Sequence, residues 1–226
     1  MLDSKFSMTT LPKLILASAS PRRAEILSSV GWEFEKHVAD VDESLLPNEN
    51  AEDHVKRLAL KKAEAVAKKY KDAWILGADT IVVIDGEIIG KPKDLDDARR
   101  MLKMLSGKWH EVFTGVAIVK CEGRNATVKE RVNSSRDCTL LDSRVSASNE
   151  TCTGLQKTGV KFAELSDEEI EFLVRCGEPL DKAGAYAVQA QAALFIEEIR
   201  GDYWNVVGLP VNLVYELVRK CQNPKR

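Results

Sequence analysis

The stretch "AWILGADTIVVIDGEIIGKP", residues 73–92, decides the fold. It reads as an apolar strand, a break at Gly77–Thr80, a second strand, a tight Asp85-Gly86 turn and a short return strand. Asp-Gly between two apolar runs is a hairpin signal, because both central turn positions need positive φ. A hairpin requires antiparallel pairing at this point. The flanking sequence alternates short apolar runs with helical patterns, which argues for strands joined through helices. Both kinds of connection together predict an α/β protein with a mixed rather than purely parallel sheet.

Upstream, "KLILAS" (13–18) is a buried strand, Ser20 an N-cap and Pro21 the first residue of a helix that runs to about Ser29. "EFEKHV" (33–38) alternates like a strand. Asn50 caps a helix over 51–70 with an apolar stripe of Val55, Leu58, Ala59, Ala63, Val66, Ala67 and Tyr70, interrupted by Lys62. Downstream, Asp94 caps a helix ending near Ser106-Gly107. "EVFTGVAIVK" (111–120) is a strand, and "GVKFAEL" (159–165) reads as its continuation. Ser166 with Glu169 forms a capping box for a helix over 167–176. "AALFIEEI" (192–199) is a strand, and "GLPVNLVYELVRKC" (208–221) holds the last helix. Residues 121–157 are polar and aperiodic, an exposed loop insertion within a single domain spanning 13–226; residues 1–12 read as a flexible leader.

Composition narrows the function. The 226 residues are 44% hydrophobic and 30% charged, an ordinary globular balance. Lys plus Arg is 33 against 35 Asp plus Glu, so the net charge of -2 argues against a nucleic-acid partner. No apolar run approaches the roughly 18 residues that would place the chain in a membrane. "MLDSKFSMTTLPK" lacks the apolar core of a signal peptide, so a cytoplasmic protein is expected. Cys121, Cys138, Cys152, Cys176 and Cys221 form no C-x-x-C pair, and free thiols are expected.

Five stretches could carry chemistry. Ser18, Ser20, Arg22 and Arg23 surround a helix start, where backbone N–H groups and guanidinium forks suit phosphate oxygens; solvated surface charge is the alternative. Asp79 in "GADT" suits a metal ligand, a general base or a cap. Lys91 follows the return strand, and Asp181-Lys182 precedes small residues that admit close backbone approach. Asp40, Asp42 and Glu43 form an acidic loop. Cations for a polyphosphate, carboxylates for a divalent cation and one carboxylate for water together suggest metal-assisted hydrolysis of a nucleotide.

"SASPRR", "GADTIV", "GKP", "GEPLDKAGAYAVQ" and "GDYWNVVGLP" occur in the order in which the Maf family of nucleoside triphosphate pyrophosphatases carries them. The chain resembles that family from Lys13 to Val218, and "DKAGAYAVQ" is similar to the branch acting on dTTP and UTP. The resemblance implies the fold of the inosine triphosphate pyrophosphatases: a long mixed sheet with helices forming two lobes around a cleft. It implies a homodimer, a divalent cation (Mg²⁺ or Mn²⁺) and hydrolysis of the triphosphate to monophosphate and pyrophosphate. Ser18, Ser20, Arg22, Arg23 and Lys91 would grip the phosphates, Asp79 would activate water, and Glu43 would stand with Asp79 on the metal side. Asp181 and Lys182 would complete the cleft, with Arg22, Thr80 and Gln189 setting base preference. Three departures stand out. "AQAA" follows Gln189 where the family usually has glycines, which predicts a tighter base pocket. Trp204 replaces a smaller or polar residue, and the 121–157 insertion is long. A nucleotide-binding regulator of cell division without turnover is the alternative; Asp79, Glu43 and Lys91 favour the enzyme.

Overall fold

The computed structural model describes residues 11–122, 149–177 and 179–223. Residues 1–10 of the expected leader, 123–148 of the expected insertion and Cys138 lie outside them. A seven-stranded mixed sheet organises the chain. Its strands are β1 (Leu14–Leu16), β2 (Phe34–Lys36), β3 (Trp74–Ile84), β4 (Glu87–Ile89), β5 (Trp109–Lys120), β6 (Glu150–Phe162) and β7 (Ile196–Arg200). The helices are α1 (Pro21–Ser29), α2 (Ala51–Ala67), α3 (Leu95–Leu105), α4 (Asp167–Cys176), α5 (Tyr203–Val207) and α6 (Val211–Gln222). The strand order is β2-β1-β3-β5-β6-β7, with β4 added to β3. β1 pairs parallel to β2 and β3, and every other pairing is antiparallel.

Local chemistry sets the element ends. Asn50, Asp94 and Ser166 each accept the backbone N–H three residues on, and Ser166 with Glu169 makes a full capping box. Asp85 (φ 51°) and Gly86 (φ 82°) form the hairpin turn between β3 and β4. Side chains alternate across β3. Leu76, Ala78 and Val82 join a large core with α1, α3, α4 and α6, while Ile75 joins a second core under α2.

Gly77 corrects the expected break. β3 is one continuous strand, and Asp79 lies mid-strand, paired with Gly115 of β5. The glycine is there because α2 lies against the strand. A Cβ at Gly77 would sit 2.1 Å from the Ala59 carbonyl oxygen, and one at Gly115 would sit 2.2 Å from that of Val55. The small residues that suggested a break therefore seat a helix.

Four further expectations change. "GVKFAEL" is not a continuation of β5 but the end of β6, its antiparallel neighbour, registered from Trp109↔Lys161 to Lys120↔Glu150. Residues 150–157 therefore belong to this strand and not to the insertion; their Thr- and Lys-rich face is largely exposed, which hid the apolar periodicity. "AALFIEEI" begins as a 3-10 turn over Gln191–Phe195, and only Ile196 onward pairs with β6. At the expected leader, Leu11 packs on the core and the Pro12 carbonyl accepts from Trp32 Nε1 at 2.9 Å. Cys152 and Cys221 form a disulfide with Cα atoms 6.3 Å apart, tying β6 to α6 across 69 residues, while Cys121 and Cys176 are free.

One gap positions the site. β1 pairs with Trp74–Leu76, and β4 pairs with β3 only from Val82. Among the described residues no strand flanks residues 77–81 on that side, so both faces of β3 open into one cleft there.

Candidate active site

The cleft encloses about 590 Å³ and is lined by Ser18, Ser20, Arg22, Arg23, Glu43, Asp79, Thr80, Lys91, Asp181, Lys182 and Gln189. The structure brings together every residue to which the family resemblance gives a role in binding or catalysis. Asp40 and Asp42 do not line it; Asp42 accepts from Ser44 N at 2.9 Å in a local turn.

β1 delivers the chain to the first turn of α1, whose N-cap Ser20 makes no side-chain cap. Ser18 Oγ instead accepts from Ser20 N at 3.2 Å and from Arg23 Nη1 at 2.9 Å. Arg23 is buried and points into the protein. Its Nε donates to the Gly208 carbonyl at 2.9 Å and its Nη2 to Thr80 Oγ1 at 3.0 Å. Thr80 Oγ1 also lies 2.9 Å from Thr114 Oγ1. Arg23 thus ties α1, β3 and the turn after α5 into one wall. Burial lowers its pKa, partly offset by the charge of Asp79, and a guanidinium stays charged regardless. Arg22 spans the mouth, donating from Nη1 to Asp181 Oδ2 at 3.0 Å and from Nη2 to the Asp181 carbonyl at 3.3 Å. Lys182 Nζ donates to Asp181 Oδ1 at 2.6 Å. Burial resists ionisation of Asp181, but the hydrogen bond from Lys182 and the charges of Arg22 and Lys182 prevail and hold it below the usual carboxylate range.

On the other face of β3, Lys62 Nζ donates to Asp79 Oδ1 at 2.6 Å and pairs with Glu43 Oε1 at 2.7 Å. Asp79 and Thr80 therefore do not act from one strand end, because successive residues face opposite sides of the sheet. The Lys62 and Asp79 side chains are 9% and 10% exposed, and that of Glu43 is 55% exposed. Partial burial opposes ionisation of Glu43, yet the Lys62 hydrogen bond and the charges of Lys62, Lys91 and Arg23 hold its pKa below the ordinary value. Lys91 is exposed at the rim after β4.

Lys62 and His54 also line the cleft and were not singled out. The signal for Lys62 was its place on an otherwise apolar stripe. His54, Leu58 and Lys62 recur every fourth residue and so share a face of α2, a spacing in which a histidine is easily read as core. Ala190, Ala192 and Trp204 do not line the cleft, so "AQAA" does not narrow it.

The donor set has room for a divalent cation. Glu43 and Asp79 each commit one oxygen to Lys62, which leaves the second oxygen of each for an ion. Among the described residues no group of three or more His, Cys, Asp or Glu is arranged to hold a metal. Two carboxylates completed by substrate phosphates suit Mg²⁺, which is seldom caged by protein alone.

Carboxylates joined through Lys62 inside an α/β cleft rimmed by Arg and Lys suit a polyanion held beside an acid–base group. The chain belongs to the family of Maf-like proteins, whose model matches residues 13–221. It is 48% identical over 213 residues to the dTTP/UTP pyrophosphatase of Geotalea uraniireducens (strain Rf4), covering 94% of this chain and 97% of that protein. The dTTP/UTP pyrophosphatase of Symbiobacterium thermophilum is 42% identical, with 95% and 96% covered. That of Thermotoga maritima is 43% identical, with 90% and 87% covered. Among solved structures, the Staphylococcus aureus Ham1 protein aligns at 14% identity with a TM-score of 0.39, covering 67% of this chain and 72% of that one. No helix among the described residues is long and apolar enough to cross a membrane.

Proposed function

We propose that this chain is a nucleoside triphosphate pyrophosphatase that converts dTTP or UTP and water to the monophosphate and pyrophosphate, clearing such nucleotides from the pool. The observation that carries the reading is the Asp79–Lys62–Glu43 constellation inside a cleft rimmed by Arg22, Lys91 and Lys182. The same proposal includes a Mg²⁺ or Mn²⁺ ion, a homodimeric state and a cytoplasmic setting, all drawn from the family resemblance.

Lys62 fixes both carboxylates, so their second oxygens face the cleft without a reorganisation step. Asp79 Oδ2 orients a water molecule and takes its proton as the water oxygen attacks the α-phosphorus. Lys91 and the N–H groups at the start of α1 offset charge on the phosphate chain. Glu43, together with the lone pair of Asp79 Oδ2 not turned to the water, would hold the cation, which, when bound, neutralises phosphate charge and lowers the barrier to attack. Arg22 reaches the nucleotide from the mouth, where its pairing with Asp181 fixes its orientation. Gln189, exposed at the cleft, offers an amide donor and acceptor that match the N3–H and O4 of uracil or thymine.

Pyrophosphate release from UTP, dTTP, CTP and GTP with Mg²⁺ or Mn²⁺ tests the reading. UTP and dTTP are expected to give the highest kcat/KM. CTP is the sharp control, because its amino group and N3 reverse the pattern Gln189 would read. A preference for CTP or GTP removes Gln189 from base reading, and nucleotide binding with no turnover of any nucleotide favours the regulator.

A further inference from the structure

His54 belongs to no motif quoted above, yet it is held as a ligand-contacting group is held. The residue is 6% exposed and its ring lines the cleft from α2, two turns before Lys62 on the same helix face. Its Nδ1 lies 2.9 Å from Glu49 Oε2. Glu49 is fixed by Arg57, which donates from Nε to Oε1 at 2.5 Å and from Nη2 to Oε2 at 2.7 Å, and by the Leu46 N–H at 3.2 Å. The Arg57 bonds outweigh burial and hold the Glu49 carboxyl down at about 2, so it is a permanent anion and an acceptor only. Nδ1 must therefore carry a proton, whatever the state of Nε2. Arg57 Nη2 stands 3.3 Å from Nδ1, but both atoms are donors there, so that approach is not a hydrogen bond. Nε2 has no hydrogen-bond partner among the described residues.

We propose that His54 binds the terminal phosphate of the triphosphate, and so the pyrophosphate that leaves, through Nε2–H. This rests on the proposed pyrophosphatase activity for its place in the reaction, but not for the binding itself. His54 lies on the Asp79 side of β3, away from the Thr80 side, and about 12 Å along α2 from Lys62 at 1.5 Å per residue. A nucleotide whose base meets Gln189 would run its phosphate chain past Lys62 and Lys91 toward this ring. With Glu49 behind it and a phosphate oxygen in front, the ring sits between two anions and donates from both nitrogens as the imidazolium, and the fixed carboxylate sets its orientation. Asp79 keeps the water-activating role, and no bond to phosphorus involves His54.

The experiment measures the Kd of inorganic pyrophosphate and of UMP by calorimetry on the wild-type chain, His54→Leu and His54→Gln, with a thermal melt of each. Gln places an amide donor near the position of Nε2, and Leu does not. Pyrophosphate binding is expected to weaken about 10-fold in His54→Leu, the scale of one hydrogen bond to a charged group. UMP binding stays unchanged, and His54→Gln recovers most of the loss. Equal weakening of pyrophosphate and UMP, or unchanged pyrophosphate binding in a folded His54→Leu protein, overturns the proposal. A wild-type chain that hydrolyses no nucleotide, yet shows the His54-dependent pyrophosphate affinity, would sink the proposed activity and leave this contact standing.

Discussion

Replacing Lys62 with Met tests the centre of the site. Met keeps the length, the helix propensity and most of the apolar contact of the stem, but deletes the ammonium. Asp79, with its side chain 10% exposed, then loses its only ion-pair partner among the described residues. Breaking a buried pair by removing one partner costs about 3–5 kcal/mol, because the remaining charge is left uncompensated. Asp79 borders the cleft, so the low end applies, about 3 kcal/mol. Glu43 is half exposed and adds little, since a screened pair is worth about 0–1 kcal/mol. For a domain of this size a loss of 3 kcal/mol lowers Tm by roughly 6–12 °C. Adding Asp79→Asn removes the stranded charge, so the double variant should regain most of that loss. Thermal and urea unfolding of the wild type, both single variants and the double variant give the coupling directly. A Lys62→Met protein destabilised by less than about 1 kcal/mol, or a double variant no more stable than it, refutes the claim that this ammonium neutralises Asp79.

Other outcomes follow from the same geometry. Asp79→Asn should retain nucleotide binding and lose about 10²–10⁴-fold in kcat, the worth of a general base; near-normal turnover removes Asp79 from that role. Arg23→Ala abandons three hydrogen bonds in a buried wall and should destabilise by about 2–4 kcal/mol in a melt, whereas an arginine serving phosphate alone would leave Tm unchanged. Burial pushes the His110 imidazole down to about 4, so the folded chain binds fewer protons than the unfolded one between about 4 and 6.5. That stability is complete above pH 6.5 and falls by about 3 kcal/mol as pH drops to 4; melts of His110→Gln over this range should show a shallower decline. Replacing residues 123–148 with a short Gly-containing turn should preserve pyrophosphate release, since Lys120 and Glu150 are already register partners and loop length costs only about 0.6 kcal/mol per doubling.

What could be read from the sequence was what neighbours along the chain determine. Asn50, Asp94, Ser166 and the Asp85-Gly86 turn act within three residues, and each does what its chemistry implied. The cleft-lining residues were legible because their motifs travel together, although spacing alone did not show which face each would take. What depended on distant partners was hidden. Gly77 looked like a punctuation mark because Ala59, which crowds it, is 18 positions away. β6 carried too little apolar periodicity to read as a strand, since its exposed face is polar and its register comes from β5. Cys152 and Cys221 meet only once β6 and α6 pack. Lys62 was visible as an oddity on an apolar stripe, but its two carboxylate partners come from a loop and a strand that no local pattern links to it.

The direct seating of α2 on Gly77 and Gly115 divides the molecule's mutational freedom unequally. Where backbone rests on backbone, a side-chain exchange anywhere but at Gly77 and Gly115 leaves the seat in place, so the heights of His54 and Lys62 above β3 are set by the main chain. Across the sheet, Gln189 and Val206 reach the cleft from a short turn and from a five-residue helix, where no backbone contact of that kind stops a substitution. A laboratory selection for a different nucleobase should therefore accumulate changes on those segments and leave the α2 side untouched. Recognition could be rewritten on one face while the hydrolytic face is inherited whole.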